Sequence, residues 1–271
     1  MKRVLTLLMG LMLGQGLSIT TGVIGRDPRF LLSKPSQVQI DSLRREAHNG
    51  NTQAQMAMVE YFQLIQLQPD SARFYLKLAV QAGQPEAQYL LGLMFLRGVE
   101  GPKRPAEGLR LLEEAARKGY ILAMRVLYEV LEPPDSVSPL SVQVLPYDAR
   151  RAFRWALQAA ELGDLPSMLK VAQYYMKGKG TSRNDSLAHT WLLQAAEKGY
   201  LPAQTHLAEW YAYKELKPDR ARHWAEKILA HPHAPAEDQV RARVALYYAD
   251  LLPTWLPWFR HWILGTLAFQ K

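Results

Sequence analysis

Residues 191–204 read WLLQAAEKGYLPAQ, and 36 positions earlier residues 155–168 read WALQAAELGDLPSM. A chain that writes nearly the same fourteen residues twice builds the same interface twice. Working outward, five segments align on one aromatic or leucine: Tyr75, Leu111, Trp155, Trp191 and Trp224, at intervals of 36, 44, 36 and 33. Three positions before each stands a small residue: Ala72, Gly108, Ala152, Ala188, Ala221. Four positions after stand Ala79, Ala115, Ala159 and Ala195, and eight after stand Gly83, Gly119, Gly163 and Gly199, with Pro232 in the last copy.

Each feature has a mechanical reading. The small residues share one helical face with the anchor, so a neighbouring helix can approach closely while the large side chain fills the remaining gap. The glycine after the AAxx segment suits the left-handed conformation that closes a helix. A second run follows each glycine: AQYLLGLMF, AMRVLYEVL, SMLKVAQYY, AQTHLAEWY. Its apolar residues fall at three- and four-residue spacing, as an amphipathic helix requires. Pro85, Pro166 and Pro202 stand at the starts of these runs, where proline is tolerated. The unit is thus a helical hairpin of about 36 residues that cannot bury its apolar face alone, and stacked copies make an all-α solenoid with a continuous core.

Composition agrees with a folded, helix-rich chain. Of 271 residues 48% are hydrophobic and 21% charged, enough for a sizeable core and too apolar for disorder. The formal net charge is +8, with a pI near 9.6, which favours encounters with acidic partners. No dense block of like charges appears, so a nucleic-acid partner is not expected. There is no cysteine, which excludes disulfides, thiolate catalysis and cysteine-based zinc sites.

The N-terminus has the layout of an export signal. Met1-Lys2-Arg3 is a positive region, VLTLLMGLML (4–13) an apolar core, and Gly16 and Ser18 suit cleavage after Ser18. An uncleaved membrane anchor over Val4 to Ile24 is the alternative, because that length approaches a bilayer span. The expected organisation is a signal or anchor at 1–22, a linker at 23–36, a repeat solenoid at 37–252 with an insertion at 132–148, and an aromatic cap at 253–271. The chain is expected in the periplasm, or anchored in the inner membrane and facing it.

The segments AHTWLLQAAEKGYLPAQTHLAEWY and AQYLLGLMFLRGVEG resemble the Sel-one-like repeat, a relative of the tetratricopeptide repeat. The likeness covers roughly residues 37 to 250 and implies a right-handed solenoid of five to six hairpins. The family's glycine in the first helix is present as Gly92 but becomes Tyr128, Ala172 and Ala208 in other copies, and Tyr128 must alter the local contact. By the register of such repeats, the first helices line a concave binding surface. Its partner-facing positions would be Tyr89, Arg125, Glu129, Gln173, Lys177, Glu209 and Tyr213. Exported bacterial proteins with these repeats include immunity proteins that neutralise lipid-degrading effectors of type VI secretion in the periplasm. The resemblance therefore implies a protein partner, with an envelope scaffold or regulator as the alternative.

Two segments depart from the repeat. EPPDSVSPLSVQVLPYD (132–148) holds four prolines and cannot continue a helix. Its apolar residues, among them Val137 and Leu140, suit a loop folded back on the solenoid or one that contacts a partner. LLPTWLPWFRHWILGTLAFQK (251–271) is either a terminal helix capping the open end or a membrane-interface helix.

Chemistry is sparse. His223, His231 and His233 form a histidine cluster, with Glu226, Glu237 and Asp238 near in sequence, but surface turns often carry histidines and no metal is expected. GKGT (178–181) lacks the spacing of a phosphate-binding loop, and no serine sits in a nucleophile elbow. Glu113, Glu114 and Asp164 are expected to solvate outer faces or favour helix starts. The expectation is a binding protein without catalytic groups or cofactor.

Overall fold

The computed structural model describes residues 36–66, 68–99, 102–132 and 147–251. The export segment, all of the linker except Ser36, the insertion residues Val137 and Leu140, and the aromatic tail lie outside the described residues. Within them every regular element is helical, no strand occurs, and no helix is long and apolar enough to cross a membrane. The chain divides into two compact units at Leu78 and Ala79.

In the first unit, α1 (Gln37–His48) starts at a capping box in which Ser36 and Gln39 satisfy each other's backbone N–H. Asn51 caps α2 (Thr52–Glu60), which packs on α1. A π-helical turn, Tyr61–Ile65, continues α2, and α3 (Pro69–Gln81) follows. Phe62 stacks on the anchor Tyr75 with ring centroids 5.7 Å apart.

In the second unit α4 (Pro85–Arg97), α5 (Pro105–Arg117), α6 (Ile121–Leu131), α7 (Ala149–Glu161), α8 (Leu165–Lys177), α9 (Asp185–Glu197), α10 (Leu201–Glu209) and α11 (Pro218–Leu229) each pack on the next. A second π turn, Trp210–Lys214, extends α10, and α12 is described over residues 236–251. This is a solenoid of stacked hairpins, and the repeat register explains it position by position. Ala152, Ala159, Ala188, Ala195 and Ala221 are all fully buried. Gly83, Gly119, Gly163 and Gly199 all take positive φ, and the N–H of Gly119 and of Tyr120 close α5 on the carbonyls of Ala116 and Ala115.

Gly92 and Gly108 bring α4 and α5 closest. A Cβ on Gly108 would stand 2.8 Å from the carbonyl oxygen of Gly92, and one on Gly92 would stand 3.0 Å from that of Gly108. The corresponding pairs elsewhere are Ala172 with Ala188 and Ala208 with Ala221, all fully buried. Tyr128 is likewise buried, opposite a position that remains alanine, Ala152. The sequence GKG also finds its reason. Gly180, at φ +72°, lies against α7, where a Cβ would come within 2.0 Å of the Ala149 carbonyl oxygen.

The insertion leaves from a tied base. The N–H of Asp148 donates to the carbonyl of Leu131 at 2.9 Å, and the Asp148 carboxylate caps α7 through the N–H of Arg151. On the other side Glu132, only 14% exposed, is paired with Lys170 at 2.5 Å and Lys179 at 3.0 Å and accepts from the Tyr174 hydroxyl at 3.1 Å. Burial alone would raise the Glu132 pKa, but the hydrogen bonds and charges of the two lysines outweigh it and hold the carboxyl below its ordinary 4.5. The outer carboxylates are less idle than the sequence suggested. Glu113 is half-buried and joins Arg117 of its own helix to Arg151 of α7, while Glu114 accepts from Gln88 of α4.

Two outcomes follow for stability. Gly119→Ala meets no neighbour and loses only the left-handed preference, about 1–2 kcal/mol, whereas Gly180→Ala adds a collision with backbone and is expected to cost at least twice that. Chemical denaturation of both variants checks the ratio. Glu132→Ala strands two partly buried lysines and is expected to cost about 3 kcal/mol at pH 7. Because the folded pKa is depressed, Glu132 contributes its full stability above the ordinary carboxylate range, and the contribution is lost as pH falls through the folded value. The gap between wild type and variant should therefore shrink below about pH 4 in pH-resolved unfolding curves.

Candidate functional site

The first helices of successive hairpins, α4, α6, α8, α10 and α12, carry a connected set of polar and aromatic side chains. Arg125 stands at its centre. It projects from the first turns of α6, half-buried, and its Nε is buried without a hydrogen-bond partner. The guanidinium is close enough to Tyr128, one turn along, to interact with its phenol, and feels the carboxylates of Asp164 and Glu129. Tyr89 of α4 and Tyr200, which precedes α10, are both close enough to feel the charge of Arg125. Residues from three hairpins thus converge on one cation.

The local folding of each follows from the repeat. Tyr120 and Tyr200 occupy the same place, directly after a helix-closing glycine, so both rings enter at the start of a first helix. Tyr89 and Tyr120 pack with ring centroids 5.3 Å apart. Asp164 occupies that same place in the next copy and caps α8 through the N–H of Ser167 at 3.0 Å. The Ser167 hydroxyl in turn donates to the Asp164 carboxylate at 2.5 Å, near Tyr128. Burial raises the pKa of Tyr89, Tyr120 and Tyr200 and pushes Tyr128 up to about 12, so all four phenols stay neutral and keep their hydroxyl protons near pH 7. Burial also raises the Glu129 carboxyl, against the lowering pull of Arg125 and Lys170.

Of the seven positions expected on this face, Tyr89, Arg125 and Glu129 come together. Gln173 and Lys177 lie further along α8, half-buried and exposed respectively. Glu209 belongs to a second cluster, where Arg241 of α12 grips it with two hydrogen bonds of 2.7 and 2.6 Å and His206 stands 3.8 Å away. Tyr213 packs edge-on against Tyr248, with centroids 4.9 Å apart. Sequence reasoning missed Tyr120, Tyr128, Tyr200 and Arg241. The tyrosine repeated after glycine was a visible signal for Tyr120 and Tyr200. Nothing local announced the Glu209–Arg241 pair, whose partners stand 32 residues apart.

Among the described residues the groups of this face are a cation, neutral phenols and carboxylates, which suit recognition of polar surfaces. Among the described residues no three histidine or acidic side chains are grouped to hold a metal ion. His231 accepts from the N–H of His233 at 3.3 Å, whereas His223 packs on Trp224. His223 also lines a shallow cleft of about 340 Å³ with His189, Leu193, Tyr211, Asp219, Arg220 and Trp224. There His189 and Tyr211 share a 2.7 Å hydrogen bond, and burial lowers the His189 pKa. The cleft contains none of the residues around Arg125.

Comparison with known proteins fits this architecture. Residues 143–164 and 165–200 match the Sel1 repeat, and residues 43–128 match the plant tetratrico peptide repeats. A Sel1 repeat protein from Oxalobacter formigenes superposes with a TM-score of 0.57 at 21% identity, covering 71% of this chain and 84% of that one. An immunity protein from Pseudomonas aeruginosa is a more distant neighbour, with a TM-score of 0.36 and 18% identity over 81% of this chain and 84% of the other. A protein of Neisseria meningitidis serogroup B, described only as uncharacterized, is 28% identical over 158 residues, 58% of this chain. The chain spans 31% of the length of that relative. The repeat matches, the helix order and the positive-φ glycines converge on one conclusion: the chain carries Sel1 repeats over residues 143–200 within a tetratricopeptide-like repeat fold.

Proposed function

We propose that the chain binds another protein through the first-helix face centred on Arg125. One observation carries this reading: a half-buried guanidinium, with one nitrogen left unsatisfied, sits among tyrosines supplied by three hairpins. Arginine and tyrosine are enriched among the side chains that anchor protein interfaces: tyrosine buries a large rigid ring at low entropic cost, and arginine adds a planar fork of donors. The exposed part of the half-buried guanidinium offers charge-assisted hydrogen bonds, so an incoming carboxylate or carbonyl would be held selectively. The excess of positive charge steers acidic surfaces toward the same face. Sel1-repeat proteins are generally binding scaffolds without catalysis, and the residues on this face suit that role.

The specific partner proposed is a lipid-degrading effector of type VI secretion, neutralised in the periplasm by this chain. The export-like first residues and the cationic balance support this reading, and the exported relatives suggested by the repeat give it a biological setting. A resident envelope protein is the other partner class, with the chain acting as scaffold or regulator.

Tagged full-length protein should capture the partner from envelope extracts of a strain exposed to such effectors. Arg125→Ala is expected to weaken capture at least tenfold while leaving the helical circular dichroism unchanged, and Tyr89→Ala with Tyr200→Ala should do the same. Equal capture by all three proteins would sink the proposed face. Cells lacking the chain should become sensitive to the effector, and unchanged survival would rule out the immunity role while leaving the binding face intact.

A further inference from the structure

Two copies of the repeat carry an arginine at the same place, and only one of them supplies its counter-charge. Arg151, four residues before the anchor Trp155, is paired with Glu113, two residues after the anchor Leu111 of the preceding copy. Arg220 stands four before Trp224, but two residues after the preceding anchor, Trp191, stands Leu193. Among the described residues no carboxylate pairs with Arg220, whose guanidinium lies over the Tyr211 ring, 5.5 Å from its centroid. The acids beside it are already engaged. Asp219 stands 3.4 Å from Arg222, and Glu215 takes Lys217 at 2.6 Å and the Trp210 indole N–H at 2.7 Å.

The cleft of about 340 Å³ lies at this place, lined by α9, α11 and the π turn that extends α10. Tyr211 and Trp224 are buried and form its floor with Leu193, while Arg220 and His223 are exposed at its rim. His189 departs from the repeat as well. Leu109 and Phe153 hold its position, two before the anchor, in earlier copies. Phe153 meets Tyr175 edge-on at 5.3 Å, and His189 meets Tyr211 edge-on at 5.5 Å but adds a 2.7 Å hydrogen bond. A phenyl ring fills this place elsewhere, so packing alone does not call for the imidazole.

We propose that the cleft binds a carboxylate carried on an apolar body. Arg220 would hold the carboxylate in the role that Glu113 plays for Arg151, with the apolar part laid against Leu193, Tyr211 and Trp224. A guanidinium fork matches the two oxygens of a carboxylate, and such a charge-assisted pair is stronger than a neutral hydrogen bond. The volume suits a small ligand, and a mostly apolar lining with a few polar groups is the usual character of such a site. An inorganic anion would meet the guanidinium but leave the aromatic floor wet. A free aromatic or aliphatic acid and the last residue of a peptide share the required chemistry. The cleft has no residue in common with the face around Arg125, so this inference does not rest on that reading.

Titration calorimetry on the full chain tests it with 3-phenylpropionate, 3-phenylpropionamide, inorganic phosphate and a short peptide ending in phenylalanine. The acid is expected to bind with a Kd of about 1 mM or tighter, within reach of a ligand of that size. The amide and phosphate should bind at least tenfold more weakly. Arg220→Ala removes an exposed side chain and should weaken the acid at least tenfold. Leu193→Glu restores the acid that faces Arg151 in the other copy, and should compete with the ligand to the same extent while the helical circular dichroism is kept. A peptide that binds tenfold or more tighter than the free acid makes the ligand a protein C-terminus, and a smaller difference makes it a free acid. Absence of binding by both acids, equal binding of the amide or of phosphate, or undiminished binding to Arg220→Ala overturns the proposal.

Discussion

Helix spacing in this molecule is set by side chains that are scarcely there. Where α4 meets α5, two glycines put each backbone within about 3 Å of where the other's Cβ would stand. Where α8 meets α9, and α10 meets α11, two alanines hold the same positions at full burial. At such separations a single added methylene must move a whole helix, and interiors packed to crystal density transmit that movement to the next interface. The anchors Trp155, Trp191 and Trp224 work only because this constraint exists, since each fills the space beside a gap whose width alanine has fixed. Tyr128 marks how far the constraint can relax. One large residue is admitted, the opposite residue stays alanine, and the displaced ring is turned to polar use beside Arg125 and Ser167.

That spacing was readable from the sequence because it repeats. Alanine three before and four after an anchor is a statement about one helical face, and five copies make it unmistakable. The helix-closing glycines were readable for the same reason. Other features resist such reading because they appear once or depend on distant partners. Glu132 looked like the first residue of a proline-rich loop, yet it is held by Lys170 and Lys179 from the next hairpin. Glu113 looked like a solvated acid, yet it crosses to Arg151. Pairings of this kind are decided by stacking, which local pattern does not encode.

The π turns lie between these cases. From Gly83 to Leu111 and from Gly163 to Trp191 the chain takes 28 positions, and left-handed Gly98 and Gly178 end the first helix. From Gly50 to Tyr75 and from Gly199 to Trp224 it takes only 25, and no such glycine exists. Both short copies end the helix by widening its last turn. Gln66 donates to the carbonyl of Tyr61 and Gln68 to that of Phe62, while Glu215 and Lys217 donate to Trp210 and Tyr211 in the same pattern. Each turn is braced by its own side chains, Gln66 to the Tyr61 hydroxyl at 2.8 Å and the Trp210 indole N–H to Glu215 at 2.7 Å. A sequence that shortens a repeat by three residues while keeping a polar partner five places after an aromatic is therefore writing a π turn.

The same economy fits the binding role proposed for the first helices. Second helices devote their alanine faces to close packing, which leaves little there that varies without cost. First helices start just after the closing glycine, and the residue at that place touches the neighbouring hairpin without setting its distance. Tyr120, Asp164 and Tyr200 all occupy it, with three different consequences: a ring packed on Tyr89, a cap for α8, and a phenol that feels the charge of Arg125. Burial keeps the phenols protonated near neutral pH, so the face offers neutral donors beside the permanent charge of Arg125. A binding surface can thus be rewritten at these positions while the alanine-spaced frame that presents it stays fixed.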